Sequence, residues 1–164
     1  MEHRLSPQLR VKDVYALTPE LLSGLGVKAL LLDLDNTLTP YHVTAPSPDL
    51  LAWRDALLAA GIKPFIVSNS RSGRAAVFAG KAGLPYIDHA GKPRPVGILR
   101  ALSRCGVQPR EAALAGDQIF TDIWGARRAG VLAILVRPIS LKQPFRALRY
   151  GVETPFRLSC REKR

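Results

Sequence analysis

Residues 30–38 read Leu-Leu-Leu-Asp-Leu-Asp-Asn-Thr-Leu, an apolar strand that runs straight into two carboxylates, Asp33 and Asp35, with Thr37 two residues further on. Two like charges side by side at the rim of a buried strand are costly unless a cation or a phosphoryl group neutralises them. Asp and Asn are also ordinary turn residues, so the meaning of the stretch depends on what lies downstream. There the chain offers Ser68-Asn69-Ser70, then Lys92 in Gly91-Lys92-Pro93, then Asp117 and Asp122 in Gly116-Asp117-Gln118-Ile119-Phe120-Thr121-Asp122. A carboxylate-based phosphoryl-transfer site needs these parts and few others. One Asp attacks phosphorus, and a hard cation such as Mg²⁺ offsets the repulsion between nucleophile and phosphate. A Lys ammonium and a Ser hydroxyl stabilise charge on the phosphoryl oxygens. A second Asp protonates the leaving alkoxide and later activates water. Taken singly, each residue has a plainer role: Lys92 as a loop lysine, Ser68 and Asn69 as turn formers, Asp122 as a helix N-cap. Their joint order is what points to chemistry.

The elements that must position these groups alternate in type. Strand patterns at Lys28–Leu34, Lys63–Ser68, Leu84–Asp88, Ala112–Ala115 and Leu132–Val136 are separated by helical patterns at Asp49–Ala60, Gly73–Ala82, Pro95–Cys105 and Thr121–Ala129. Asp49 after Pro48 is the expected N-cap of the first of these helices. Such alternation predicts an α/β fold, a doubly wound parallel sheet in three α/β/α layers. In such sheets the ligand site lies at the carboxyl ends of the strands, near the switch point. Asp33, Asp35, Ser68, Asn69, Asp117 and Asp122 all fall at or just past inferred strand ends. Gly24-Leu25-Gly26 precedes its strand, so it is not a dinucleotide loop. One domain over 1–164 is expected, with a core at about 28–137, a lead-in at 1–27 and a tail at 138–164.

The four-cluster order resembles the haloacid dehalogenase superfamily of phosphatases. Asp33 and Asp35 match its first motif, Ser68 its second, Lys92 its third, and Asp117 with Asp122 its fourth. The resemblance implies that Asp33 is the nucleophile and Asp35 the general acid/base. It implies Mg²⁺ held by Asp33, the main-chain carbonyl of Asp35, and Asp117, with Asp122 in support and Lys92 bracing Asp33 and the phosphoryl group. Thr37 and Asn69 are expected beside Lys92 as substrate contacts. It also implies that the strands ending in Asp117, Asp33 and Ser68 are neighbours. The Asp-Leu-Asp-Asn-Thr-Leu wording, the Pro40–Pro48 loop and Gly91-Lys92-Pro93 are similar to the YqeG-type subgroup (subfamily IIIA), whose organellar relatives dephosphorylate phosphatidylglycerophosphate. That kinship implies a lipid phosphate as substrate.

Composition bounds the partners. The chain of 164 residues has 47% hydrophobic residues, two cysteines and a net charge of +11, so it is long and apolar enough for a core and offers no disulfide framework or zinc site. No apolar run is long enough to span a bilayer and the N-terminus lacks a signal-peptide core, so a cytoplasmic protein is expected. The charge is uneven: residues 137–164 carry eight basic side chains against Glu153 and Glu162, interleaved with Leu141, Phe145, Leu148, Tyr150, Phe156 and Leu158. This mixture suits an anionic surface, either membrane lipid at the inner membrane face or nucleic acid. All four motifs precede residue 123, so the tail is expected to stand clear of the chemistry.

Between Asp35 and the second strand there is room for a loop and one helix, so no cap domain is expected. The site should be open, or covered by another subunit in an oligomer. Open access suits a phosphate displayed on something large. The same chemistry on a nucleic acid end, a nucleotide or a sugar phosphate is the alternative, as is an inactive RNA- or ribosome-binding module. His3, His42 and His89 lack a second ligand at metal spacing and are expected in loops. Trp53 and Trp124 are expected in the core or at an interface.

Overall fold

The computed structural model describes residues 5–142, 144–160 and 162–163. Seven strands form one sheet in the order β4-β3-β2-β5-β6-β1-β7, and every pairing is parallel. The strands are β1 (Leu9–Val11), β2 (Ala29–Leu32), β3 (Lys63–Val67), β4 (Tyr86–Ile87), β5 (Ala112–Gly116), β6 (Leu132–Val136) and β7 (Glu162–Lys163). The helices are α1 (Pro19–Gly24), α2 (Pro48–Ala59), α3 (Arg74–Ala82), α4 (Val96–Cys105), α5 (Trp124–Ala129) and α6 (Pro144–Arg157).

The central strands are buried on both faces and read as continuous apolar runs, as parallel strands must. Their alternate residues feed two separate cores. Leu30, Leu32, Ile66, Ala113, Ala115 and Ile134 face one layer with Leu22, Trp53 and Phe78 of α1, α2 and α3. Leu31, Phe65, Val67, Leu114 and Leu135 face the other with Ile98, Leu102 and Ala126 of α4 and α5. This is the expected α/β/α arrangement. The strand ending in Asp33 lies between those leading to Ser68 and Asp117, with Leu32 in register with both Ile66 and Ala115.

Local chemistry sets the boundaries, with three differences from expectation. The N-cap of α2 is Ser47, whose Oγ accepts from Leu50 N at 3.2 Å; Pro48 takes the first helical position, which suits its fixed φ, and leaves Asp49 inside the first turn. The segment expected as one helix from Thr121 begins instead as a π turn at Ile119–Ile123 that continues into α5. The lead-in and the tail, read as flanking the core, extend it. β1 pairs with β6 from Leu9↔Ile134 to Val11↔Val136, and Phe156 of α6 packs on the α4/α5 core, edge to face with Phe120 at 6.1 Å. Trp53 is buried as expected and donates Nε1–H to the Leu17 carbonyl at 3.0 Å. Among the described residues no helix is long and apolar enough to cross a membrane.

Candidate active site

The chain runs from β2 toward β3 on one side and returns through β5 on the other, so the carboxyl end of β2 is the switch point of the sheet. Asp33 stands there, its amide donating to the Ala115 carbonyl at 2.9 Å. Asn36 then takes a positive φ of 67°, a conformation asparagine tolerates better than most residues, and this turns the chain back across the strand ends. Thr37 is buried by that turn, with Oγ1 at 3.4 Å from Asp33 Oδ2 and 3.3 Å from Asp117 Oδ1. Its single proton can bridge only one of these acids at a time.

Asp117 follows the last residue of β5, and Asp122 returns to the same point. The Asp122 carboxylate folds back over Gly116 and accepts from Gln118 N at 3.1 Å. A Cβ on Gly116 would lie 2.4 Å from Asp122 Cγ and Oδ2, so only glycine lets the side chain come this close. Asp33, Asp117 and Asp122 are all buried and present carboxylate oxygens within 4.8 Å of one another.

Lys92 is the cation set among them. Its ammonium donates to Asp33 Oδ1 at 2.7 Å and to the Val67 carbonyl at 2.8 Å, and it forms an ion pair with Asp122 Oδ1 at 2.7 Å. Asn69 holds the Lys92 main chain from both sides, accepting from its amide and donating to its carbonyl, each at 2.9 Å. Burial alone would push Lys92 down, but the Asp122 and Asp33 carboxylates outweigh it and hold the ammonium above its usual range. Desolvation pushes Asp33 up to about 7, with Lys92 opposing and Asp122 adding to the rise. Asp117 is raised for the same first reason, with the Asp33 and Asp122 charges next. Three buried carboxylates facing one ammonium are short of positive charge. A hard divalent cation with oxygen ligands fits that deficit.

Asp33, Asp35, Ser68, Asn69, Lys92 and Asp122 line one open pocket of about 370 Å³, together with Tyr41, Arg71, Gln118 and Thr121. Ser68 is buried and its Oγ accepts from Ser70 N at 3.0 Å. Asp35 is ion-paired with Arg74, whose other terminal nitrogen donates to the Pro40 and Val43 carbonyls at 2.7 and 2.6 Å. His42 is exposed, and His89 is exposed with Nδ1 at 3.5 Å from Asp88. A second, more apolar pocket of about 430 Å³ lies behind the Pro40–Ser47 loop. Its one carboxylate, Asp13, accepts from Ala16 N at 3.1 Å and faces no cation there.

Three contributors were not expected from the sequence: Arg74, Glu153 and Arg157. The expectation that the tail stands clear of the chemistry does not hold. Arg157 of α6 donates to the main-chain carbonyl of Asp117, and Glu153 accepts from Phe120 N at 3.3 Å. The approach to α6 is also tied to the first motif: Asn36 and Ser140 exchange hydrogen bonds at 2.9 and 2.8 Å.

The profile of the haloacid dehalogenase-like hydrolases matches residues 42–130, a span that holds Ser68, Lys92, Asp117 and Asp122. The chain is 34% identical over 139 residues to the probable phosphatase YqeG of Bacillus subtilis (strain 168), covering 85% of this chain and 81% of that one. It is 28% identical over 149 residues to the chloroplastic phosphatidylglycerophosphate phosphatase 1 of Chlamydomonas reinhardtii and 29% over 150 residues to the chloroplastic/mitochondrial one of Arabidopsis thaliana. It spans 55% and 43% of those two longer chains. The fold is similar to that of the cobalt-bound deoxy-D-mannose-octulosonate 8-phosphate phosphatase of Haemophilus influenzae, with TM-score 0.55, 15% identity and 68% of each chain covered. It is also similar to the 3-deoxy-D-manno-octulosonate 8-phosphate phosphatase of Yersinia pestis, with TM-score 0.52, 16% identity, and 82% of this chain and 80% of that one covered.

Proposed function

We propose that this chain, which belongs to the haloacid dehalogenase-like hydrolase family and is a phosphatase, cleaves a phosphomonoester through a phosphoryl group carried on Asp33. The observation that carries this reading is the Lys92 ammonium set between Asp33 and Asp122 at 2.7 Å each, beside Asp117, at the sheet's switch point. A carboxylate oxygen of Asp33 attacks phosphorus as the bond to the leaving oxygen breaks. Asp35, at the pocket mouth, gives its proton to that oxygen and later takes one from the water that attacks the aspartyl-phosphate. Lys92 and Ser68 neutralise charge on the phosphoryl oxygens. Thr37 and Asn69 act one step back, on the acids and on the Lys92 main chain. Mg²⁺, held by Asp33, Asp117 and the Asp35 carbonyl with Asp122 in support, would supply the charge that brings two anions together.

The substrate in this reading is a lipid-borne phosphate, with phosphatidylglycerophosphate the named example among the relatives. Two features support it. One loop and one helix stand between β2 and β3, which leaves the pocket open to a phosphate on a large carrier. Leu148 and Val152 of α6 and Leu158 just after it are 69%, 58% and 68% exposed, and exposed Arg137 and Lys142 lie in the segment before the helix. An exposed apolar helix face next to exposed basic residues suits an anionic bilayer surface.

Phosphate release with Mg²⁺ across lipid, nucleotide, sugar and nucleic-acid-end phosphates tests the reading. The expected winner is phosphatidylglycerophosphate in anionic vesicles. Faster turnover of a soluble phosphate than of any lipid would overturn the substrate, and no release from any of them would overturn the activity.

A further inference from the structure

The C-terminal helix α6 carries an almost fully buried ion pair. Glu153 and Arg157, one helical turn apart, are 0% and 4% exposed and meet at 2.6 Å. Burying both charges is costly, and such a pair is weak evidence for stability on its own. What they face explains the arrangement better. Arg157 Nη2 donates to the main-chain oxygen of Asp117, and Glu153 Oε1 accepts the main-chain N–H of Phe120 at 3.3 Å. One pair thus grips both ends of the 117–120 segment, which carries Asp117 and leads into Asp122.

The grip is itself supported. Arg149 Nε lies 3.3 Å from Glu153 Oε1, and the Arg157 guanidinium sits 4.2 Å over the Tyr150 ring. Arg10 of β1 donates to the Arg157 carbonyl at 3.3 Å, so the helix end is anchored to the sheet as well as to the site. Both contacts come from one nitrogen, Nη2, which donates to the Asp117 carbonyl and to Glu153 Oε2 at 2.6 Å, held in place by the planar guanidinium.

We infer that Arg157, backed by Glu153, is a positioning residue that fixes the Asp117 backbone and so sets the cation affinity of the site from the far end of the chain. The inference rests on Asp117 being a metal ligand. Groups that orient a ligating carboxylate typically change metal affinity by about 10–100-fold when removed. Arg157→Met should therefore raise the Mg²⁺ dissociation constant, read by calorimetric titration of the metal-free protein, by about tenfold or more. The Mg²⁺ concentration for half-maximal phosphate release should rise in parallel, while KM for an aryl phosphate at saturating Mg²⁺ stays within about twofold. Arg157→Lys keeps the charge but loses the planar guanidinium and its stacking on Tyr150, and should fall between Arg157→Met and the unaltered protein. If Arg157→Met does not fold, Arg157→Lys and Glu153→Gln carry the test, each expected to weaken Mg²⁺ by at least about threefold. A folded variant that melts lower yet binds Mg²⁺ as the unaltered protein does would show that the pair only anchors α6, and the inference would fall. If the unaltered protein itself bound no Mg²⁺, the metal reading of Asp117 and the inference would fall together.

Discussion

Arg74 holds Asp35 and the Pro40–Val43 loop with one guanidinium: it pairs with the carboxylate of the first and donates to two carbonyls of the second. The Tyr41 ring, which lines the pocket, lies 5.4 Å from the same guanidinium. The residue proposed to give and take the proton and the wall of the pocket beside it are therefore set by a single side chain.

Arg74→Ala should uncouple the two. With Asp35 free to rotate and the loop loose, phosphate release should drop by about ten- to a hundredfold, since about an ångström of misplacement is enough for that. Thermal melts should fall too, because one partner of a largely buried pair is removed, at a cost of about 3 kcal/mol. An aryl phosphate with a good leaving group, which needs little proton donation, should suffer less than an alkyl phosphate. Equal losses on both would argue that Arg74 shapes the pocket without acting through Asp35.

The metal-free protein should lose stability as pH rises. Folded Asp33 keeps its proton up to about 7, while the ordinary value of an aspartate is 3.8. The folded state therefore binds more protons than the unfolded state between those values, and stability falls as pH climbs from about 4 to about 7. Asp117, shifted in the same direction, adds to the trend. Melts in chelator should drop from pH 5 to pH 8, and added Mg²⁺ should raise the melting temperature more at pH 8 than at pH 5. A chelated protein that is more stable at pH 8 would contradict the burial of these acids together.

Gly116→Ala tests how Asp122 is placed. The new methyl would sit 2.4 Å from the Asp122 carboxylate, so the side chain must leave its position beside Lys92. Activity should fall by about tenfold or more while the strand, buried and otherwise alanine-rich at Ala112, Ala113 and Ala115, still forms. A crystal structure of the variant with Asp122 still on Lys92, or unchanged phosphate release, would sink the argument.

The outer face of α6 separates docking from chemistry. Leu148→Glu with Val152→Glu alters two exposed side chains that do not line the pocket. Each apolar side chain buried in an interface contributes about 1.5–3 kcal/mol, so binding to anionic vesicles should weaken by tenfold or more. Turnover of vesicle-borne phosphatidylglycerophosphate should slow with it, and hydrolysis of a soluble aryl phosphate should not change. Undiminished vesicle binding would mean that this face is not the contact.

Much of the site was legible because its groups sit in short, local signatures at strand ends. Asp33, Ser68 and Asp117 each follow an apolar run whose direction fixes where the next polar side chain must point, and Lys92 stands in Gly91-Lys92-Pro93 shortly after the third inferred strand. Arg74 and Arg157 have no such signature. Each reaches the site from a helix, and nothing in the sequence around Arg157 distinguishes it from the other basic residues of the tail. Glu153 follows from Arg157 only once α6 is seen to dock. The strand Leu9–Val11 is too short to show a period, and it exists because β6 offers it an edge. Both Ser47 and Asp49 suit an N-cap, and the fixed φ of Pro48 is what decides for Ser47.

The central claim is that Asp33 carries the phosphoryl group, and rapid quench with radiolabelled substrate tests it most directly. The unaltered protein with Mg²⁺ should yield a transient, hydroxylamine-labile phosphate on the peptide that contains Asp33. The Asp33→Asn protein, folded and still able to bind substrate, should yield none and release no phosphate. Label that persists in Asp33→Asn, or phosphate release above about a tenth of the unaltered rate, a loss of only ~1.4 kcal/mol, would contradict the account.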